Sequence, residues 1–148
     1  MHSFVCSLHH IVFATKNRER VIDRSIEERL WPYLGGIARE FKGKALGVGG
    51  YADHIHILLS LPGTVSISKA AQLLKGNSSK WMNETFGSRG QFAWQEGFGS
   101  FSIGISGVED TLAYIQNQEE HHRVRTFREE LERILVKHGM QYDQRMLD

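Results

Sequence analysis

Between His54 and Leu61 the chain reads HIHILLSL, and no other stretch narrows the fold as much. Successive side chains of a strand point to opposite faces. Ile55, Ile57, Leu59 and Leu61 therefore form one face, and His54, His56, Leu58 and Ser60 the other. A continuous apolar face needs a layer packed on it, whereas a face that begins with imidazoles does not. The pattern predicts a sheet whose two sides differ, with helices against one of them.

The flanking segments supply that architecture. Phe4 to Thr15 is rich in β-branched and aromatic residues and apolar on both alternating sets, which suits a central strand. Ser25 with Glu28 has the form of a capping box and opens a helix to about Lys42, with Ile26, Leu30, Tyr33, Leu34, Ile37 and Phe41 as its stripe. Pro32 inside it predicts a kink or a shorter first turn, and Gly43 its end. Ala45 to Tyr51 reads as a glycine-rich strand, Ile67 to Phe86 as a second helix, Gly87 to Gly99 as a loop with aromatics, and Ser100 to Ile105 as a fourth strand. Capping boxes at Ser106/Glu109 and Thr126/Glu129 open two more helices, the first running to about Glu120. The order strand–helix–strand–strand–helix–strand predicts an α+β fold of the ferredoxin-like or RRM-like split-βαβ type. Its sheet is antiparallel, with both crossover helices on one face and the other face open to a ligand or an extra helix. All of residues 1–148 is read as a single domain.

Composition removes several alternatives. One cysteine, Cys6, excludes an internal disulfide and a multi-cysteine zinc site. The longest nearly apolar run, Ile55 to Leu61, is far short of the ~20 residues that span a bilayer. The N-terminus lacks the basic and apolar regions of a signal peptide. A soluble, cytoplasmic protein with no membrane partner is expected. With 18 basic against 17 acidic residues the net charge is only +1, so any nucleic-acid surface must come from local arrangement.

Two clusters can carry chemistry. His54 and His56 lie two apart on one strand face, about 6.6 Å along it. Imidazoles so placed can turn onto one metal ion, although a half-exposed strand carries the same pattern without a ligand. Tyr114 and Gln118 are i and i+4, hence stacked on one helical face, with His121 and His122 beyond. Val108, Leu112 and Ile115 form the packing stripe, so Tyr114 and Gln118 are not needed there.

Together the clusters fit one reaction. A divalent ion held by His54, His56 and the Gln118 amide oxygen can grip a phosphodiester while the Tyr114 phenol attacks it. The products are a phosphotyrosine and a free 3′-hydroxyl, and the covalent link conserves the energy for rejoining. Mg²⁺ prefers oxygen ligands and Mn²⁺ tolerates imidazole better, so either is expected. Lys16, Arg18, Arg20 and Lys75 are candidates for DNA phosphate contacts or for solvated positions. Trp94 and Phe98 either stack on bases or pack. His10 reads as a core histidine or as support for the metal histidines, His121 and His122 as a spare ligand or a solvated helix end, and Arg123 to Arg133 as the outer face of the last helix.

Asp53-His54-Ile55-His56 resembles the His-hydrophobic-His motif of the HUH endonucleases. With one tyrosine on a late helix, the chain is similar to the small TnpA-type single-tyrosine transposases, including the REP-associated group. The likeness extends over His9 to Arg18, Leu74-Lys75-Gly76 with Ser78-Ser79, Phe92 to Gln95 with Gly97 to Ser102, and Tyr114 to His122. Ala52 and Phe13 depart from the family's usual proline and tryptophan. The resemblance implies a homodimer that nicks and rejoins single-stranded DNA through a 5′-phosphotyrosine on Tyr114. It implies recognition of hairpins near the ends of an insertion sequence, and a tyrosine helix that completes either its own site or its partner's. Two rivals remain open: a non-catalytic nucleic-acid-binding regulator on the same fold, and a small metallohydrolase using His54, His56 and a metal-bound water.

Overall fold

A computed structural model describes residues 1–87 and 91–148. Part of the expected Gly87 to Gly99 loop therefore lies outside the described residues. The strands are β1 (Leu8–Ala14), β2 (Lys44–Tyr51), β3 (His54–Ser60) and β4 (Gly99–Ile103). The helices are α1 (Arg24–Glu40), α2 (Ile67–Phe86), α3 (Val108–Gln116), α4 (Gln118–His121) and α5 (Phe127–Lys137). The sheet order is β2-β3-β1-β4, with every neighbouring pair antiparallel. This is the expected split-βαβ arrangement.

The alternation in β3 partitions the molecule. Ile55, Ile57 and Leu59, with Ile11 and Phe13 of β1, pack against α1 and α2 in the main core. Val12, Ala14 and Phe101 line the other face and meet Phe127 and Ile134 of α5. The face left uncovered by the crossover helices is thus roofed by α3 to α5, and His54 and His56 beneath them are fully buried.

Several element ends differ from the sequence reading. β1 begins at Leu8 rather than Phe4, because Leu8 already pairs with the last residue of both neighbours, Ser60 and Ile103. Phe4 and Val5 accordingly lie exposed. Asp23, not Ser25, caps α1: its carboxylate accepts from the Ile26 N–H at 3.0 Å. The helix continues through Pro32, whose ring nitrogen has no hydrogen to give the Glu28 carbonyl. Ser106 caps nothing; α3 starts after Gly107 without a side-chain cap, and Asn117 separates it from α4. The Thr126/Glu129 capping box is present as expected.

The glycines of β2 have a packing reason. A Cβ on Gly47 would strike the Leu112 side chain, and one on Gly49 would strike the backbone carbonyl of Ile115. Both contacts are to α3, which lies on β2 with no β2 side chain between them at these two positions. Gly49→Ala should destabilise the protein by about 1–3 kcal/mol through overpacking. That outweighs the gain of at most about 1 kcal/mol from a less flexible unfolded chain. Urea denaturation of the two proteins measures the difference.

Candidate active site

β3 delivers two imidazoles to the roofed face, and the elements above it converge on them. His54 Nδ1 lies 2.7 Å from the Asp53 carboxylate, while its Nε2 faces Gln118 Oε1 at 2.8 Å and Glu130 Oε1 at 3.3 Å. His56 Nε2 meets the same Glu130 Oε1 at 2.9 Å, and its Nδ1 is 2.7 Å from Nε2 of the buried His10. His122, just past α4, donates from Nδ1 to the Arg125 carbonyl at 2.9 Å. Its Nε2 lies 3.1 Å from Gln118 Oε1 and 3.2 Å from Glu130 Oε1. The second Glu130 oxygen accepts from the Gln118 amide at 2.9 Å and from the Tyr114 hydroxyl.

Glu130 is the hub, and the sequence reading missed it. The stretch Arg123 to Arg133 was expected to be an outer helical face, yet Glu130 is only 2% exposed. The structural cause is its position between Phe127 and Ile134, on the stripe of α5 that packs against the sheet. That spacing was the one available signal. His10 is buried as support for His56, and His122 points into the site rather than toward solvent.

The sequence-predicted groups are partly brought together. Tyr114, at the end of α3, and Gln118, at the start of α4, share one Glu130 oxygen, and Gln118 touches His54. His56 reaches the group through Glu130. Within this one chain Tyr114, Gln118, Glu130 and the histidines stand together.

The cationic candidates separate. Lys75 donates to the carbonyls of Gln95 and Gly97, at 2.7 and 2.8 Å, and so holds the aromatic loop. Arg18 binds the Gln95 side chain and the Leu147 carbonyl and lies over the Phe127 ring. Arg20 lies over Tyr51, and Lys16 is exposed. Trp94 is buried, with its indole N–H on Ser78, whereas Phe98 is partly open.

The electrostatics favour a tightly charged, buried set. Burial opposes a charge on His54, but the hydrogen bonds with Asp53 and Glu130 outweigh it and raise its pKa to about 9. For His10, burial and the neighbouring His56 lower the pKa to about 3. Burial also lowers His56. Burial works against the Glu130 carboxylate as well, yet hydrogen bonds from His122, His54 and His56 hold its pKa well below the usual range. Tyr114 is pushed upward, first by burial and then by the Glu130 charge. The phenol is therefore stored protonated.

The donor set fits a divalent cation. His54 and His122, as neutral rings, keep their hydrogens on Nδ1 for Asp53 and the Arg125 carbonyl. Each then turns an Nε2 lone pair toward two oxygens, of Gln118 and Glu130. Nothing in that arrangement binds unless protons or a cation enter. An octahedral ion with ligands about 2.1 Å away sets neighbouring ligands about 3 Å apart, and the facing atoms here are spaced 2.8 to 3.3 Å. Ligand atoms of His54, His122 and Glu130 all lie within 4.8 Å of one another. Metal-bound histidines typically give their second N–H to a carboxylate or carbonyl, as both do here.

Comparison with known proteins gives consistent results. The family model described as "Transposase IS200 like" matches residues 4–118. Transposases for insertion sequence element IS200 from Salmonella typhimurium and Salmonella typhi are each 29% identical to this chain over 123 residues, covering 78% of it and 79% of their own length. Among solved structures, a transposase of Deinococcus radiodurans superimposes with a TM-score of 0.65 at 22% identity, covering 80% of this chain and 95% of its own. A REP-associated tyrosine transposase bound to a REP hairpin gives 0.56 at 13% identity, covering 78% and 68%. At these identities the two structural likenesses bear on the fold.

Proposed function

The chain belongs to the IS200-like transposases, and from that premise we propose that it cleaves and rejoins single-stranded DNA through a covalent link to Tyr114, with a divalent metal, Mg²⁺ or Mn²⁺, at the histidine site. The observation that carries the reading is the Tyr114 hydroxyl resting on Glu130, whose other oxygen faces His54, His56 and His122. Nucleophile and candidate metal ligands are thus joined through one carboxylate.

In the proposed reaction the Tyr114 oxygen bonds to phosphorus as the bond from phosphorus to the 3′-oxygen breaks. The DNA keeps a 3′-hydroxyl, and the protein carries the 5′-phosphate. Glu130, which accepts the Tyr114 hydrogen bond in the resting arrangement, would orient the phenol, while the phenolic proton passes to water and the departing 3′-oxygen takes one from water. His54, His56, Gln118, His122 and Glu130 would hold the ion, with Asp53 and His10 fixing the rings of His54 and His56. When bound, that ion supplies charge neutralisation to the attacked phosphate and offsets the Glu130 charge that keeps the phenol protonated.

Lys16 and Arg20, on the β1–α1 connection, are proposed to meet DNA phosphates; Arg18 and Lys75 are proposed to act there through the loop they fasten. A hairpin near the element's ends is the proposed recognition element, since a structural neighbour was solved on a REP hairpin. A homodimer and a place in the cytoplasm complete the proposal. No helix among the described residues is long and apolar enough to cross a membrane.

The test incubates the protein with labelled single-stranded DNA from the flanks of its own gene and Mg²⁺ or Mn²⁺. A protein–DNA band that survives SDS, and is lost with EDTA, is expected on a denaturing gel. Binding without any such band would favour the regulator, and cleavage without it the metallohydrolase.

A further inference from the structure

Beside the nucleophile opens a cleft of about 300 Å³ that the reaction described above leaves unexplained. Tyr114, His10 and Glu130 line its recessed part, while Arg125, Arg133 and Lys137 stand around them. Arg133 and Lys137 are exposed and lie one turn apart on α5, and Arg125 is half-buried just before that helix. None of the three makes a hydrogen bond or ion pair through its side chain among the described residues. Facing them are two carboxylates, Asp110 and Glu130. Glu130 is already engaged by His54, His56 and His122, which leaves Asp110 alone to balance three fixed cations.

A second observation points the same way. His121 also lines the cleft, with its ring stacked on Tyr114 at 4.6 Å. Its Nε2 is buried and has no hydrogen-bond partner. A buried ring nitrogen left unpaired in a packed site calls for an explanation, and an incoming acceptor or donor provides one.

We propose that this cleft is the path of the DNA strand being cut, with Arg125, Arg133 and Lys137 clamping the phosphates on either side of the one that Tyr114 attacks. The inference rests on the strand-cleaving reading and extends it to α5, which lies beyond the segment matched by the family model. Side chains at i and i+4 of a helix stand about 5–6 Å apart at Cβ. Arg133 and Lys137 can therefore hold neighbouring phosphates of an extended strand. The recessed position of Tyr114 favours a single strand, whose backbone can bend into the cleft.

The charge-removing variant Arg133→Gln/Lys137→Gln tests the clamp. Fluorescence anisotropy of a labelled single-stranded DNA of gene-flank sequence, measured through a salt series, is the readout. Each lost phosphate contact removes about 0.7 from the slope of log K against log salt for single strands. The double variant should flatten that slope by about 1.4 and weaken binding at least about tenfold at low salt. Mn²⁺ binding, followed by electron paramagnetic resonance of the free ion, should stay at the wild-type level. The control Arg39→Gln/Lys69→Gln, on the other side of the sheet, should leave both slope and affinity unchanged.

A double variant that matches the wild type in slope and affinity overturns the clamp. So does clamp-dependent binding of RNA of the same sequence without binding of the DNA. The gel assay separates the two ideas. An SDS-stable adduct with an unaffected slope keeps the strand-cleaving reading and removes the clamp. Clamp-dependent DNA binding without an adduct does the reverse.

Discussion

Tyr114→Phe is expected to leave single-stranded DNA bound and uncut. The substitution removes one oxygen and keeps the ring, which packs on His121 at 4.6 Å and sits edge-on to His56 at 5.7 Å. The hydroxyl donates to Glu130, which retains His54, His56, His122 and Gln118 as partners. Its loss costs about 0.5–1.5 kcal/mol of stability, too little to unfold a domain of this size. Covalent catalysis has no substitute oxygen at that position, so cleavage should fall by at least about 10⁴-fold and the SDS-stable band should vanish. Affinity for the same DNA, measured by anisotropy, should stay within about threefold of the wild type. Retained cleavage in this variant would mean that a water, not the phenol, attacks.

Glu130→Gln is expected to have the second largest effect, and to act on two properties at once. Among the described residues the carboxylate is the one anion that faces all three inward-turned imidazoles, those of His54, His56 and His122. An amide of the same shape keeps one acceptor, places an N–H₂ against donors, and removes the charge. Breaking a buried ionic set by neutralising one member typically costs 3–5 kcal/mol, so the metal-free protein should lose about that much in urea denaturation with EDTA present. Mn²⁺ affinity should fall by at least about 10–100-fold, a scale at which even groups supporting a ligand matter. Adding Mn²⁺ should raise the stability of the wild type far more than that of the variant. Equal Mn²⁺ affinity in the two proteins would remove Glu130 from the ligand set.

Most of the fold was legible because it follows from short-range patterns. The alternation of β3 fixed which residues meet α1 and α2, and the succession of strands and helices fixed the split-βαβ order. The errors lie where a local pattern competes with a distant partner. Phe4 and Val5 have strand propensity but no strand to pair with, since β3 and β4 already end opposite Leu8. Ser25 with Glu28 and Ser106 with Glu109 satisfy the spacing of a capping box, yet Asp23 takes the first role and nothing takes the second.

At the site, His54, His56, Tyr114 and Gln118 could be named from spacing because each pair shares one element or nearly so. Glu130 could not be named that way. It sits in a run of Arg128, Glu129, Glu132 and Arg133 that reads as a solvated face, and its role exists only where α5 crosses β3. His122 was obscured similarly, by a chain that turns its ring inward immediately before the exposed Arg123.

Seen from Tyr114, the bare track of Gly47 and Gly49 works as a depth stop. It lets α3 settle onto β2 until the Ile115 carbonyl meets the strand backbone at Gly49 and the Leu112 side chain meets it at Gly47. How far the phenol reaches toward the histidines is thus set one strand away from them, by two side chains that are missing. A tyrosine helix transplanted onto another sheet of this type would need that pair of vacancies carried along with it.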